Sequence, residues 1–347
     1  MNEPQLWFYL LVFLSSITLS GLSVPILRKI AFKFAVLDNP NQSHKTHKEP
    51  IPYLGGFSIV LPVLILCAVG PTVFSLSQET VLQGITLILP CIFISLVGLI
   101  DDIRNLAAPT RFLTQLAASA LVSLFLIENK FLVQITGIPL LNFLISIFWI
   151  VGITNAINLV DNLDGAAAGL TAIACLSIFT MSLLSNQFLL ATFSLTIGSA
   201  ALGFLFWNRN PAKIYLGDSG SLFLGLALSV ILIQFNPSVQ VPSSALVIPI
   251  FIMAIPIIDT SVVVMSRIIR GVSIFQGGRD HISHRIIARG VSRKSSVILI
   301  CSLGGFFSSL ALVINQIRSQ LIEVLPLVGL LSMATLILIF LRMPILK

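Results

Sequence analysis

Polar residues recur in short clusters between long apolar runs of this 347-residue chain, and each cluster suits phosphate or metal chemistry. In residues 37–56, Lys45, His47 and Lys48 offer cations to an anionic ligand, and a glycine pair at 55–56 allows backbone to approach a phosphate closely. An ordinary basic loop has the same composition, so both interpretations stay open.

Two clusters carry carboxylates at the ends of apolar runs. Asp101 and Asp102 follow one run directly, a costly place beside the negative end of a helix dipole unless a cation or proton compensates. In residues 217–221, small residues surround Asp218 at a helix start, where backbone N–H groups can cradle phosphate and the carboxylate can hold its metal. A solvated loop end and a helix N-cap are the alternatives. Tyr215 offers a ring for a base to stack on, or an interfacial anchor.

A third cluster spaces oxygen-bearing side chains three residues apart, at Asn155, Asn158, Asp161 and Asp164. A continued helical turn would bring neighbouring pairs onto one face. Carboxylate and amide oxygens are the ligands that Mg²⁺ takes. The pattern therefore favours a magnesium site over a plain polar loop.

The longest basic stretch, residues 267–294, contains Arg279, His281, His284 and Arg285. Arginine binds phosphate oxygens in a bidentate manner and histidine hydrogen-bonds them, so we expect this cluster to bind phosphate. A metal pair of histidines is an alternative that the neighbouring arginines disfavour, and a solvated basic loop is another.

Asp259 lies within an apolar run, near Pro249 and Pro256. A lone carboxylate within the bilayer costs about 2.5–3.5 kcal/mol, so it indicates a function or a buried partner, unless it is capped or reaches the interface. The two prolines share a helix face, and we expect them to kink this span and to open a groove to lipid.

The composition specifies where these clusters must sit. Only 10% of the residues are charged and 56% are hydrophobic, with a mean hydropathy of +1.03, against about 25% charged in soluble domains. The net charge of +7 is scattered between apolar runs, which excludes a nucleic-acid interface and fits juxtamembrane loops. The four cysteines lie inside apolar runs without metal-ligand spacing and are expected to be packing residues.

The apolar runs predict an all-α polytopic membrane protein with about eleven transmembrane helices. The predicted spans are residues 6–30, 54–74, 83–100, 110–127, 140–160, 165–184, 188–207, 219–235, 244–268, 294–315 and 321–341. Because Lys and Arg follow the first span and none precede it, the N-terminus is predicted outside and the C-terminus in the cytoplasm. We expect one integral-membrane domain, 1–347, whose cytoplasmic loops 31–53, 101–109, 155–164, 208–218 and 267–294 form the active site.

This threading places all eight aspartates and all four histidines near the cytoplasmic side, while four glutamates lie at the other face. An ion-coupled transporter would also have an intramembrane carboxylate and kinked spans, but its polar residues would reach the midplane and both faces. The one-sided distribution favours an enzyme at the cytoplasmic face of the cell membrane.

In this order, the Asp-Asp pair, Asn-x-x-Asn-x-x-Asp-x-x-Asp-Gly and Gly-Asp-x-Gly-Ser resemble the polyprenyl-phosphate N-acetylhexosamine-1-phosphate transferases, glycosyltransferase family 4. The resemblance covers residues 37–285. It implies Mg²⁺-dependent transfer of a sugar 1-phosphate from a UDP-sugar to a polyprenyl phosphate, releasing UMP, with Mn²⁺ as a substitute metal. The extended histidine loop favours the N-acetylglucosamine branch over the muramoyl-pentapeptide branch. A homodimer is compatible with the sequence.

The resemblance also implies roles for single residues. Asp218 corresponds to the metal carboxylate, with Asn158 as a second ligand, and the Asp101–Asp102 pair to the aspartates that bind metal or deprotonate the lipid phosphate. Asp161 and Asp164 correspond to nucleotide contacts, as do two positions before the Gly-Asp segment, Asn208 and Tyr215. His281 and His284 lie in the catalytic histidine loop. Three positions depart from the pattern: Asn162, Ala166 and Ser283 replace a frequent Gly, Leu and His.

Overall fold

Helices form nearly all of the computed structural model, which describes residues 6–38, 49–73, 76–104, 106–128, 136–239, 242–275, 277–317 and 321–346. In those ranges the elements are α1 (Leu6–Lys33), β1 (Leu37–Asp38), β2 (Ile51–Pro52), α2 (Gly56–Val73), α3 (Gln78–Arg104), α4 (Ala108–Glu128), α5 (Pro139–Val160), α6 (Ala166–Leu184), α7 (Phe188–Asn208), α8 (Gly217–Gln234), α9 (Pro242–Ile252), α10 (Ala254–Ile269), α11 (Ile282–Ala288), α12 (Arg293–Gln316) and α13 (Leu321–Arg342).

Within these ranges, nine helices are long and apolar enough to cross a membrane: α1, α2, α3, α5, α6, α7, α8, α12 and α13. The pair α9 and α10 passes the same criterion together, with a bend of 75° at the break between them. This confirms an all-α polytopic membrane protein and the kink that Pro249 and Pro256 predict. Helix α4 coincides with the predicted span at 110–127. The count of eleven spans and the orientation of the termini stay predictions.

Helix α8 lies at the centre of the bundle, with 89% of its most apolar window buried, against 22% for α1 and 17% for α13. Glycines bring two neighbours close to it. A Cβ at Gly98 of α3 would run into the backbone of Asp218, and one at Gly225 would lie 2.6 Å from the Cα of Thr154 on α5. Small residues allow such close packing where lipid provides no hydrophobic force between helices. The start of α8 is therefore held beside α3 and α5.

The antiparallel hairpin β1–β2 pairs Leu37 with Pro52 and Asp38 with Ile51. It joins the segment before α8, because the Tyr215 N–H donates to the Pro52 carbonyl at 2.8 Å and the Gly55 N–H donates to the Tyr215 carbonyl at 3.0 Å. A Cβ at Gly55 would clash with that carbonyl and with the Phe204 ring. Gly55 is therefore required for backbone packing, and the expected approach of a phosphate to the glycine pair stays a prediction.

Candidate active site

A cavity of about 730 Å³ lies where α5 and α7 end and α8 begins, beside the hairpin and the starts of α11 and α12. Its lining is rich in carboxylate and amide side chains: Asp38, Asn158, Asp161, Asn162, Asp164, Asn208, Asn210 and Asp218. It also includes the basic or imidazole side chains of Arg279, His284 and Arg293. The cavity thus offers ligands for a cation and donors for an anion at the ends of apolar helices.

Asp218 lies at the first turn of α8, after Gly217, whose φ of +73° places it in the left-handed region that favours glycine. A side chain at Gly217 would also meet Oδ2 of Asp102 at 2.7 Å. Oδ1 of Asp218 accepts a hydrogen bond from Nδ2 of Asn158 at 2.8 Å. The amide of Asn158 donates as well to Oγ of Ser221 at 2.8 Å. Because its nitrogen is used twice, Asn158 keeps its amide oxygen for another partner.

The two adjacent aspartates of α3 have different surroundings. The carboxylate of Asp102 accepts from the backbone N–H groups of Asp218 at 2.8 Å and Ser219 at 3.1 Å, which caps the start of α8 from another helix. Asp101 is only 4% exposed and accepts from the Leu106 N–H at 2.7 Å. The two carboxylates thus have different partners, and the metal or base role expected for the pair stays a prediction.

Arg111 of α4 lies between the carboxylates of Asp101 and Asp218. Its Nε lies 3.2 Å from Oδ2 of Asp101, an ion pair without hydrogen-bond geometry, and its Nη1 lies 3.5 Å from Oδ2 of Asp218. The guanidinium therefore neutralises part of the negative charge at the cavity end. Arg111 was not among the predicted site residues, although it lies nine residues after Asp102 at the start of the next predicted span.

The turn after α5 supplies further carboxylates. Helix α5 ends at Val160, so Asp161 and Asp164 do not continue its face. Oδ2 of Asp164 accepts from Nδ2 of Asn210 at 2.9 Å and from the Ala212 N–H at 3.0 Å. Burial raises the pKa of Asp161 well above its usual value, and the charges of Asp218, Asp102 and Asp164 raise it further. Such concentrated negative charge favours uptake of a proton or a cation.

Asn208, at the end of α7, joins two loops of the cavity. Its Oδ1 accepts from the Gly165 N–H and its Nδ2 donates to the Ile214 carbonyl, both at 2.9 Å. The side chain is buried, with 2% exposed. Gly165 has a φ of +83°, which explains the glycine after Asp164. Asn208 thus lines the cavity, but both polar atoms of its side chain form hydrogen bonds within the protein.

Two tyrosines form an aromatic part of the wall. The ring centroids of Tyr53 and Tyr215 lie 6.0 Å apart at an angle of 47°. Burial raises the pKa of both phenols, and the Asp38 carboxylate adds to this for Tyr53 through a hydrogen bond. Both hydroxyls therefore stay protonated at neutral pH. Tyr53 was missed because the sequence offered it only as one aromatic residue among several loop residues.

His284 and two arginines form the basic part of the lining. Burial lowers the pKa of His284 to about 4, with further lowering by the charges of His281, Arg279 and Arg293. The imidazole is therefore neutral at pH 7, and its Nδ1 is buried without a hydrogen-bond partner among the described residues. Arg293, the first residue of α12, belongs to the basic stretch 267–294 but was not among the predicted site residues.

Comparison with known proteins identifies the family. Residues 85–236 match the sequence profile described as Glycosyl transferase family 4. A probable undecaprenyl-phosphate N-acetylglucosaminyl 1-phosphate transferase of Bacillus subtilis (strain 168) is 35% identical over 326 residues, covering 91% of this chain and 87% of the relative. The chain belongs to glycosyl transferase family 4. This confirms the resemblance predicted from the motifs.

Other similar members of the family have related names. A decaprenyl-phosphate N-acetylglucosaminephosphotransferase of Mycolicibacterium smegmatis is 30% identical over 328 residues, 83% of this chain and 79% of the relative. A phospho-N-acetylmuramoyl-pentapeptide-transferase of Halalkalibacterium halodurans is 30% identical over 320 residues, 87% and 95% of the two chains. The chain is therefore a membrane transferase similar to both branches of the family.

The structure directs three of the predicted site residues away from the cavity. Asn155 donates from Nδ2 to Oε1 of Gln115 at 2.5 Å, so it binds α4. His281 is 6% exposed, and its Nδ1 lies 2.8 Å from Oδ2 of Asp259. Arg285 is 1% exposed and bonds to protein carbonyls. The donors of Asn155 and Arg285 are therefore used within the protein, and neither residue is part of the cavity lining. The phosphate contact expected of Arg285 stays a prediction.

Asp259 has a buried partner, one of the two explanations that the sequence allowed. It is fully buried, and its second oxygen accepts from the Ile282 N–H at 2.7 Å. The carboxylate thereby holds both His281 and the start of α11, next to His284. Three other predicted contacts, Lys45, His47 and Lys48, lie outside the described residues.

The residues around Asp218 fit a divalent cation by their chemistry. Among the described residues no group of three or more His, Cys, Asp or Glu side chains is arranged as a metal site. However, Asp218 and Asn158 both line the cavity and offer oxygen atoms, and hard divalent cations take such ligands together with water and substrate phosphates. The two residues predicted as ligands thus lie side by side.

Proposed function

We propose that the chain transfers an N-acetylhexosamine 1-phosphate, chiefly N-acetylglucosamine 1-phosphate, from a UDP-sugar to undecaprenyl phosphate or another polyprenyl phosphate. A phosphate oxygen of the lipid attacks the phosphorus that carries the sugar. The bond from that phosphorus to the bridging oxygen breaks, and UMP leaves with the electron pair. This is the first membrane step in the synthesis of a cell-wall or surface polysaccharide.

The observation that carries this proposal is a cavity that combines carboxylates, an aromatic wall and basic donors at the ends of apolar helices. A reaction between two phosphate anions needs alignment and neutralisation of charge more than covalent help from the protein. Tyr215 provides a ring for the uracil, while Arg279, Arg293 and neutral His284 provide donors for the diphosphate. The position at the helix ends suits an acceptor whose chain stays in the bilayer.

We assign Asp218 and Asn158 as the residues that would hold Mg²⁺ or Mn²⁺. A bound divalent cation would neutralise phosphate oxygens and polarise the reacting phosphorus. Asp102 holds the Asp218 backbone, and Arg111 balances the remaining charge, so the protein itself orients this carboxylate. Asp161 and Asp164 border the nucleotide end of the same cavity.

We further propose that residues 1–347 act as one integral-membrane domain in the cell membrane, with loops 31–53, 101–109, 155–164, 208–218 and 267–294 on the cytoplasmic face. The lining of the cavity draws on all of these loops except 101–109, which reaches it through the contacts of Asp102 with Asp218. The partners are then a UDP-N-acetylhexosamine and a polyprenyl phosphate, with a homodimer compatible with this arrangement.

The test uses the purified full chain in vesicles that contain undecaprenyl phosphate. Mass spectrometry of the lipids after incubation with a panel of UDP-sugars should show a lipid-linked N-acetylglucosamine diphosphate, together with released UMP. Asp218→Asn should reduce turnover by about 10²–10³-fold, the scale seen when one oriented electrostatic group is removed. Glu79→Gln, the same chemical change at an exposed carboxylate on the other end of α3, is the matched control.

The outcomes separate the alternatives. A lipid product formed only from the UDP-muramoyl-pentapeptide donor would assign the chain to the other branch of the family. Sugar trapped inside vesicles without any lipid product would indicate a transporter and contradict the proposal. Normal turnover of Asp218→Asn at ordinary Mg²⁺ concentration would refute the assigned metal ligand.

A further inference from the structure

Arg285 of α11 is a fully buried arginine whose hydrogen bonds reach three other segments. Its Nε donates to the Asp280 carbonyl at 2.8 Å and its Nη2 to Oγ of Ser266 at 2.7 Å. Its Nη1 donates to the carbonyls of Phe340 at 3.1 Å and Met343 at 2.9 Å. The side chain therefore connects α10, the histidine loop and the end of α13.

The contact with α13 has a clear physical reason. The last carbonyls of a helix have no partner within the helix, and they carry the negative end of its dipole. A buried cation with several N–H groups donates hydrogen bonds to these carbonyls and offsets the negative end of the dipole, as basic residues do at other helix ends. Because α13 ends at Arg342, the guanidinium of Arg285 caps the point at which the helix stops.

The capped end leads directly to the cavity. Leu346, three residues after Met343, lines the cavity together with Ile287 of α11 and Leu163. His284, the neighbour of Arg285, lines it as well. Two adjacent residues of α11 thus have different surroundings. His284 lines the cavity, whereas Arg285 binds the end of α13, after which Leu346 reaches the cavity.

We propose that Arg285 is a positioning residue, which places residues 343–346 so that Leu346 completes an apolar part of the donor-binding cavity. This inference rests on the proposed function for the identity of the donor. It replaces the direct phosphate contact expected from the sequence. Arg285 then determines donor affinity without touching the donor.

The test combines a labelling assay with steady-state kinetics on the full chain in vesicles. In a Leu346→Cys chain, an impermeant maleimide should react at least tenfold faster when Arg285→Gln is also present, with the unsubstituted chain giving the background of the four native cysteines. In kinetics, Arg285→Gln and Leu346→Ala should each raise KM for UDP-N-acetylglucosamine about tenfold, which equals about 1.4 kcal/mol, with kcat within twofold.

The matched control is Arg289→Ala, an exposed arginine after the same helix, which should change neither readout. An unchanged labelling rate of the introduced thiol in the presence of Arg285→Gln would overturn the proposed placement. Unchanged KM in both Arg285→Gln and Leu346→Ala would overturn the link to the donor. If Arg285→Gln does not fold, Leu346→Ala decides by its KM alone, with an unchanged value refuting the inference.

The labelling arm does not depend on turnover. If the unsubstituted chain forms no lipid-linked sugar, the proposed function fails, whereas the labelling rate of the Leu346→Cys chain still shows whether Arg285 holds this segment. Arg285→Lys adds a further comparison. One ammonium group cannot reach the carbonyls of α13, Asp280 and Ser266 together. We therefore expect Arg285→Lys to restore less than a third of the protection from maleimide that the thiol of the Leu346→Cys chain loses in Arg285→Gln.

Discussion

The clearest prediction concerns Asp102, whose carboxylate binds backbone rather than facing the cavity. Its oxygens accept from the N–H groups of Asp218 at 2.8 Å and Ser219 at 3.1 Å. Asp102→Asn keeps the shape of the side chain but turns one acceptor into an NH₂ group, which then opposes a backbone donor. We expect this change to weaken the start of α8 and so to displace Asp218.

The magnitude follows from these two contacts. A hydrogen bond to a charged group contributes about 1.5–3 kcal/mol, and a carboxylate near a helix N-terminus about 0.3–1 kcal/mol more. One of the two bonds survives in the amide. We therefore expect Asp102→Asn to lower the free energy of unfolding by about 2–4 kcal/mol, with turnover lowered as well.

Thermal unfolding in lipid nanodiscs, measured beside the turnover assay, separates a capping role from a chemical one. Asp218→Asn is the reference, because its side chain is 28% exposed and its amide can still accept from Asn158. We expect Asp218→Asn to unfold near the temperature of the unsubstituted chain while losing turnover, and Asp102→Asn to lose both.

One result would refute this reasoning. If Asp102→Asn unfolds at the unsubstituted temperature and still loses turnover, then Asp102 acts on the metal or on the lipid phosphate itself. The capping contacts would in that case contribute little, and the common role expected for the aspartate pair would stand for Asp102.

Three other predictions address pH, packing and sidedness. The pKa of His284 is lowered to about 4 from 6.5, so the unfolded chain binds a proton between these values that the folded chain does not; stability should fall as pH drops from about 7 to 4. His284→Gln should reduce this loss in thermal unfolding at pH 7.5 and 5, and an equal loss would contradict the assigned cause. Asn208→Ala leaves a buried N–H and a carbonyl unpaired, at about 1–3 kcal/mol each, so its unfolding temperature should drop clearly, while an unchanged temperature would show that water replaces the amide. Single cysteines at the exposed positions Lys294 and Gln78 should react with an impermeant maleimide from the cytoplasmic and the outer side respectively; reversed labelling would overturn the predicted orientation.

The sequence alone determined the class of the protein, most of its helices and the motifs of its site. In a bilayer, the backbone N–H and C=O groups of an apolar run of about 20 residues find their hydrogen-bond partners within a helix. Length and hydropathy were therefore sufficient to predict the membrane-spanning helices. The order of the Asp-Asp, Asn-x-x-Asn-x-x-Asp-x-x-Asp-Gly and Gly-Asp-x-Gly-Ser segments was sufficient for the family. Asn158 and Asp218, 60 residues apart, were also paired correctly in space.

Only the tertiary structure decided which member of each motif faces the cavity. Asn155 and Asn158 lie on one helix, and His284 and Arg285 are neighbours, yet in each pair one lines the cavity and the other binds a distant element. Helices that are apolar all round carry no polar stripe that reveals their rotation. The partners that fix it, such as helix-end carbonyls 55 residues beyond Arg285, are backbone groups common to every residue type, so no residue pattern identifies them.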